Sequence, residues 1–227
     1  MRREKTSVSQ EDYLKAIWEI VQEEQVPISA RLAEELRVTP PAVTAALKRM
    51  TRDGYVRVQR GGTIQLTKKG QDVAEHLVLR HRLAEKLLTE VLGLEWSKAH
   101  DEAERLEHGI SPEVEALLLK RFGENSSCPH GVPLFGGLAR LRRKNGAVLL
   151  SEVAAGDSVE VLRVFEKDPK FLDFVEHLGL KPGARAEVRK RGYDETLTLA
   201  VDGASRGEVH LGKPATGRIW VRKVSRG

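Results

Sequence analysis

Apolar residues recur at three- and four-residue spacing from Gln10 to Val21, which predicts an amphipathic helix with Ser9 as its N-cap. Similar patterns predict a second helix from about Ser29 to Leu36 and a third from about Pro40 to Asp53. Two alternating runs, YVRVQ and TIQLT, flank the glycines of RGG and predict a β-hairpin. Three helices followed by a hairpin are typical of a winged helix-turn-helix.

The third predicted helix has the side chains that a DNA-reading helix needs. A helix-turn-helix places the N-terminal half of this helix in the major groove, where short side chains allow close approach and basic ones contact phosphates. The candidate DNA-contacting residues are Thr39, Pro41, Ala42, Thr44, Ala45, Lys48, Arg49 and, in the hairpin, Arg60. The alternative is that the winged fold contacts a protein and that these basic residues form only a solvated face.

The middle of the chain is also helical. An apolar stripe runs through residues 71–94 and predicts a helix of 24 residues, long enough to suggest a dimer contact, although it could instead cover the core of its own domain. Two further helices are predicted, from Ser97 to about Glu107 and from Pro112 to about Phe122, the second capped by Ser111.

The C-terminal third has a different pattern. Residues 123–150 are rich in Gly, Ser and Pro and predict a linker. Short β-rich runs separated by glycine turns then predict a small SH3-like β-barrel, with one short helix at about Pro169–Leu178. The predicted fold class is therefore mainly α with small β parts: a winged helix, a helical domain and a C-terminal barrel.

Charge is distributed unevenly along the 227 residues. The net charge of +5 divides into +4 for residues 1–70, −4 for residues 71–122 and +5 for residues 123–227. Hydrophobic residues at 40% and charged residues at 31% indicate a globular protein rather than a disordered or membrane one. A single cysteine, Cys128, excludes an internal disulfide, and the N-terminus lacks an apolar signal segment, so we expect a cytoplasmic protein.

The acidic middle segment contains a candidate metal site. At 100° per residue, His100, Glu104, Glu107 and His108 fall on one stripe of their helix. His81 and Glu85 form a second pair one helical turn apart, and Asp12 offers another carboxylate on the first helix. Imidazole and carboxylate ligands together suit a divalent ion such as Mn²⁺, Fe²⁺, Co²⁺ or Zn²⁺.

Other functions remain open on the residues alone. The stripe could be a network of ion pairs, a metal-dependent hydrolase could carry an accessory winged helix, and a winged-helix regulator could sense an organic ligand. The sequence contains no HExxH motif and no legible Ser/His/Asp or Cys/His arrangement, which disfavours the hydrolase. We therefore expect no enzyme activity, no small organic substrate and no membrane partner.

The chain resembles the diphtheria-toxin-repressor family of metal-dependent transcriptional regulators. The likeness rests on EDYLKAIWEI, RLAEELRVTPPAVTAALKRMTRDGYV, LTKKG, RHRLAEKLLTEVLGL, HDEAERLEH and the C-terminal barrel. It implies a homodimer that binds a double-stranded DNA operator and represses metal-uptake genes, with the metal as corepressor. The implied domains are a winged helix at 1–70, a helical dimerisation and metal-binding domain at 71–123, a linker at 124–149 and an SH3-like (FeoA-like) domain at 150–227.

The resemblance also implies two metal sites. The primary site is Asp12, Glu104, Glu107 and His108. The iron-responsive branch has Met and Cys where this chain has Asp12 and Glu104, and two hard carboxylates favour Mn²⁺, with Fe²⁺ the alternative and Zn²⁺, Co²⁺ or Cd²⁺ as substitutes in vitro. Some manganese regulators hold two adjacent ions with a carboxylate at the position of Lys15, and the lysine argues against that arrangement.

The second implied site includes residues of the predicted linker, because CPHG resembles the corresponding segment of manganese regulators with a third domain. A carboxylate from the barrel completes the site, for which we prefer Asp168 over Glu166. The implied ligands are His81, Glu85, His100, Cys128, His130 and Asp168.

Overall fold

The computed structural model describes residues 9–203 and 207–225. The first eight residues, part of the segment in which we expect no signal peptide, lie outside the described residues. The chain divides into two compact units, residues 1–80 with 135–139, and residues 81–134 with 140–227. Among the described residues, no helix has both the length and the apolar character needed to cross a bilayer.

The first unit is a three-helix bundle with a short hairpin. Its elements are α1 (Gln10–Gln22), α2 (Ser29–Glu35), α3 (Pro40–Arg52), β1 (Val56–Val58) and β2 (Ile64–Leu66), followed by α4 (Lys68–Lys86), in which the division between the units falls. Ser9 and Asp12 form a capping box at the start of α1, so two backbone N–H groups of its first turn are bonded. The three predicted helices and the hairpin are confirmed to within a residue or two.

One apolar core joins the helices of this unit. Leu14 and Ile17 of α1 lie in the same buried cluster as Val43 and Leu47 of α3. The opposite face of α3 is exposed, because its buried positions recur at three- and four-residue intervals. This packing fixes α3 against α1 and leaves its polar face open to solvent.

The helical part of the second unit departs from the predicted lengths. The long helix ends as α4 at Lys86, and a π-helical turn at Leu87–Val91 replaces its last turns. The next predicted helix consists of a 3₁₀ turn at Trp96–Lys98, α5 (Ala99–Leu106) and a second 3₁₀ turn at Glu107–Gly109. The following helix, α6 (Pro112–Phe122), has its predicted ends, with Ser111 accepting the N–H of Val114.

The segment predicted as a linker is more ordered than its composition suggests. It contains a two-turn helix, α7 (Leu138–Asn145), which the sequence pattern does not predict. Cys128 and His130 are both buried. The sequence pattern does not reveal α7 because two helical turns are too short to give a clear periodicity, and the Gly, Ser and Pro residues before it are typical of a loop.

The C-terminal part of the second unit is a six-stranded antiparallel sheet. Its strands are β3 (Val148–Leu149), β4 (Ser158–Val164), β5 (Arg185–Arg191), β6 (Leu197–Val201), β7 (Val209–Leu211) and β8 (Ile219–Val224), in the order β3-β8-β4-β5-β6-β7. The predicted short helix is confirmed as α8 (Pro169–His177), and a single turn, α9 (Lys213–Thr216), precedes β8. Register shifts in β4 and β5 bend the sheet around a core of Val, Leu and Ile.

Candidate metal centre

Glu85 lies at the centre of a buried cluster of imidazoles in the second unit. It follows His81 by one turn on α4, so both side chains project from the same face of the helix. Its Oε1 lies 3.2 Å from Nε2 of His81 and 3.3 Å from Nδ1 of His100, which comes from α5. Nδ1 of His130 lies 3.2 Å from the same oxygen. Three imidazoles therefore converge on one carboxylate oxygen that is shielded from water.

His81 also connects this cluster with the turn after α5. Its Nδ1 lies 2.6 Å from Oε2 of Glu107, a residue with no exposed surface. Its Nε2 lies 3.0 Å from Nδ1 of His100. Both nitrogens of this ring therefore have close polar neighbours, which fixes the orientation of the ring.

The predicted stripe of four ligands is only partly preserved. Because α5 gives way to a 3₁₀ turn at Glu107, the 100° spacing fails for the last two residues. Glu107 is buried, whereas His108 remains partly exposed with Nε2 3.8 Å from Oε1 of Glu107. Glu104 is also exposed, and its Oε1 lies 3.8 Å from His81 and 3.9 Å from His100. Glu107 and His108 therefore lie next to each other, and Glu104 lies closer to His81 and His100.

Buried cations hold the loop that carries Cys128 and His130. The Arg82 guanidinium donates to the carbonyl oxygens of Pro133 and Leu134, at 2.8 and 3.1 Å. The Lys86 ammonium donates to the carbonyl of Ser127 at 3.1 Å. Both cations lie on α4, one residue after His81 and Glu85 respectively, so the same helix positions the ligands and the loop.

Trp96 and β4 fix the other side of this loop. The indole N–H of Trp96 donates to the carbonyl of Pro129, and the N–H of Val164 donates to the carbonyl of His130. Gly131 has a φ of 90°, and a Cβ atom there would overlap the carbonyl oxygen of Leu162. Only glycine fits this turn without strain, because the backbone of β4 passes too close for a side chain.

The structure places Glu166, rather than the preferred Asp168, beside the cluster. The Glu166 side chain is only 15% exposed, and its charge affects the pKa values of His130 and Cys128. Asp168 instead caps α8 by accepting the N–H of Phe171 and forms an ion pair with Arg218 at 2.9 Å. These contacts favour Glu166 over the preferred Asp168, because the Asp168 carboxylate is already bound by the Phe171 N–H and the Arg218 guanidinium.

The charges within the cluster stabilise one another. Burial alone acts to raise the pKa of Glu85, but the neighbouring His130 and His81 outweigh it and hold that pKa well below its usual range. Burial also acts to lower the pKa of His130, and the Glu85 carboxylate raises it above its usual value. Burial and the negative charge of Glu85 raise the pKa of the Cys128 thiol well above its usual value. The Glu85 carboxylate is therefore stabilised in its negatively charged form.

The donor atoms fit a divalent cation. Oε2 of Glu85 is buried and has no hydrogen-bond partner among the described residues, and Nδ1 of His130 is buried without a bond of proper geometry. Buried polar atoms rarely lack a hydrogen-bond partner unless an ion or a water molecule binds them. Imidazole, carboxylate and thiol donors at these positions are those that transition-metal ions use.

The sequence does not predict that four residues around the cluster are buried, namely Arg82, Lys86, Trp96 and Arg163. The pattern treats a basic residue on a helix as solvated, whereas Arg82 and Lys86 are buried against backbone carbonyls. Arg163 is buried over the ring of Trp220 and lies 3.4 Å from Glu166. The available signal is proximity in sequence, since each of the four lies within four residues of His81, Glu85, His100 or Glu166.

Asp12 and the candidate DNA-contacting residues belong to the first unit. Asp12 lies in the first turn of α1, where its Oδ2 accepts the N–H of Ser9 at 2.7 Å. On α3, the hydroxyl of Thr44 donates to the carbonyl of Pro40. The candidate DNA-contacting residues are all exposed, namely Thr39, Pro41, Ala42, Thr44, Ala45, Lys48, Arg49 and Arg60.

Sequence comparisons agree with this arrangement along the chain. Residues 5–63 match the family model described as iron dependent repressor, N-terminal DNA binding domain. Residues 67–136 match the iron dependent repressor metal binding and dimerisation domain, and residues 148–223 match the FeoA domain. The iron-dependent repressor IdeR of Mycobacterium tuberculosis is 37% identical over 190 residues, which cover 78% of this chain and 82% of that protein.

The chain belongs to the iron-dependent repressor family. The diphtheria toxin repressor of Corynebacterium efficiens is another relative, 33% identical over 187 residues that cover 78% of this chain and 81% of the relative. A solved structure described as a manganese-dependent transcriptional repressor in complex with manganese aligns with a TM-score of 0.81 and 30% identity, covering 95% of this chain and all of that one. The predicted fold class and the predicted family are confirmed.

Proposed function

We propose that this chain represses metal-uptake genes in the cytoplasm when it binds Mn²⁺. As a member of its family it is a metal-responsive DNA-binding repressor. The single observation that carries the proposal is the buried cluster around Glu85, whose unpartnered donor atoms call for a divalent cation. The solvent-facing polar surface of α3 supplies the complementary DNA-binding element.

We assign the regulatory ion to the four residues of the primary site, Asp12, Glu104, Glu107 and His108. Three carboxylates and one imidazole form a hard donor set, which favours Mn²⁺ over softer ions. The structural relative in complex with manganese supports the same choice. We assign His81, Glu85, His100, Cys128, His130 and Glu166 to the second site.

The position of Asp12 explains how metal binding could change DNA binding. Asp12 lies in the first turn of α1, and the apolar face of α1 shares a buried cluster with the apolar face of α3. Any restraint on the Asp12 carboxylate is therefore transmitted to the orientation of α3. When bound, the cation would supply the positive charge that offsets the carboxylates of its ligands.

A homodimer would supply the second recognition helix. Two helices must meet major grooves about 34 Å apart, so restricting their spacing raises DNA affinity by shifting the conformational population. Apolar side chains that remain exposed in the helical part of the second unit could pack against another copy; they are Leu92, Leu106, Val114 and Leu117. We propose that this surface forms the dimer contact.

Fe²⁺ is the second candidate corepressor, because the curated relatives above are named iron-dependent repressors or diphtheria toxin repressors. The thiol of Cys128 and the imidazoles around Glu85 also suit Fe²⁺. We propose a regulatory and not a catalytic role for either ion, because the chain belongs to a family of transcriptional repressors.

The decisive experiment is a DNA-binding titration. Duplexes are selected from a random library on the protein with Mn²⁺, Fe²⁺ or Zn²⁺, and their affinities are then measured with each ion and with a chelator. We expect tight binding with Mn²⁺ and little with the chelator. Equal binding in the chelator would overturn metal activation, and a preference for Fe²⁺ under anaerobic conditions would replace Mn²⁺ as the corepressor.

A further inference from the structure

The donors in and around Glu85 fall into two groups of three residues. His81, His100 and Glu104 each offer a ligand atom within 4.8 Å of the others, and so do Glu85, Cys128 and His130. All six residues lie in the second unit. The first group borders solvent through Glu104, whereas every member of the second group is buried.

The two histidines of the first group and Glu85 have the spacing of ligands around one ion. The distances joining His81 Nε2, His100 Nδ1 and Glu85 Oε1 are 3.0, 3.2 and 3.3 Å. Ligands about 2.1 Å from a shared ion lie about 3.0–3.4 Å apart in octahedral or tetrahedral geometry. The observed triangle therefore matches three corners of a coordination polyhedron.

The second group contains the buried atoms that this first ion leaves unsatisfied. Oε2 of Glu85 has no hydrogen-bond partner among the described residues, and Glu85 is 1% exposed. Nδ1 of His130, a residue with no exposed surface, likewise lacks a hydrogen bond. Cys128 completes the group.

We propose that Glu85 bridges two cations, one held with His81 and His100 and the other with Cys128 and His130. The inference rests on the proposed function only in that the cluster binds metal. It divides the second site into a half with nitrogen and oxygen ligands, suited to Mn²⁺ or Fe²⁺, and a half with a thiolate, suited to Zn²⁺ or Co²⁺.

Metal content per chain distinguishes one ion from two. The full-length protein is equilibrated with Zn²⁺ and with Mn²⁺, freed of excess ions and analysed by elemental analysis and native mass spectrometry. We expect Cys128→Ser to lose one Zn²⁺ per chain, His100→Ala to lose one ion from the other half, and Glu85→Gln to lose both. His177→Ala, which changes an exposed histidine of the same unit, is the matched control.

A single shared ion predicts instead that all three variants lose the same one equivalent, and that result would overturn the proposal. Cobalt spectra provide a readout that does not depend on variant stability. A thiolate-to-cobalt charge-transfer band should persist in His100→Ala and disappear in Cys128→Ser. Its absence from the wild-type protein would also overturn the proposal. These experiments measure metal binding and not DNA binding. If the cluster holds only one ion, the proposal of a bridged pair fails, whereas the proposed function as a Mn²⁺-activated repressor still stands.

Discussion

Nδ1 of His81 lies 2.6 Å from Oε2 of Glu107, and both side chains are buried. His81 is a ligand of the proposed second site, whereas Glu107 is a ligand of the proposed primary site. A carboxylate that holds the far nitrogen of a metal-binding histidine orients the ring and raises its basicity as a ligand. We therefore expect this contact to couple the two proposed sites through one imidazole.

Replacing Glu107 should weaken both metal sites. Glu107→Gln removes a primary ligand and loosens the orientation of His81, so we expect metal affinity to fall by about 10- to 100-fold at the second site as well. Competition titration with a fluorescent chelator measures both affinities. Glu102→Gln on α5, where Glu102 pairs with Arg105, is the matched control. An unchanged second-site affinity would refute the coupling.

Asp12 should be required for metal-dependent DNA binding. Asp12→Asn keeps a side-chain oxygen that can accept the Ser9 N–H and preserve the cap, but it removes the carboxylate ligand. We expect Mn²⁺ to stop increasing DNA affinity while the helix content stays unchanged by circular dichroism. Asp12→Ala should also lose activation and, with the cap, about 1 kcal/mol of stability. Activation that persists in either variant would disprove the role given to Asp12.

Gly131 should tolerate no side chain. Gly131→Ala places a methyl group against the Leu162 carbonyl at a φ of 90°, so we expect a loss of about 3 kcal/mol or more in the free energy of unfolding. Gly156 has a φ of 93° and nothing within 4 Å of an added Cβ, so Gly156→Ala should cost only about 1 kcal/mol. Denaturant unfolding measures both, and equal costs would mean that β4 does not constrain the loop.

Glu166 and Asp168 should have separable roles. Glu166→Gln is expected to weaken second-site metal binding by about tenfold or more, whereas Asp168→Ala should leave it unchanged and cost about 1 kcal/mol of stability. Isothermal titration and thermal unfolding measure the two effects. A metal defect in the Asp168 variant would restore the original sequence-based assignment.

The Asp168→Ala variant should also differ from the wild-type protein in how its stability depends on pH. Burial acts to raise the pKa of Asp168, but the Phe171 N–H and the Arg218 guanidinium together hold it below its usual value. A carboxylate with a lowered pKa in the folded state stabilises the protein at neutral pH, and this contribution is lost as the pH falls through that lowered pKa. Asp168→Ala should therefore flatten the acid side of the stability curve.

The sequence predicts what depends on local spacing. The caps Ser9 and Ser111, the His81 and Glu85 pair and the ends of α6 all follow from neighbours within one or two helical turns. The orientation of Glu107 does not, because the change from α-helix to 3₁₀ turn depends on packing rather than periodicity.

The choice between Glu166 and Asp168 also lay beyond the sequence. Two carboxylates two residues apart have similar patterns, and Asp168 differs from Glu166 through its ion pair with Arg218, which lies 50 residues away. The buried direction of Arg82 depends likewise on carbonyl groups 51 and 52 residues away. Contacts of this kind are set by the assembled fold.

The loop around Cys128 joins parts of the chain that are far apart in sequence. Its bonds to Arg82, Lys86 and Trp96 span 51, 41 and 33 residues. Contacts across such separations carry a loop-closure cost that nearby contacts avoid, so they form late during folding. The buried cluster around Glu85 therefore depends on distant parts of the chain having come together, and a chain that has not folded this unit lacks the arrangement of side chains described above.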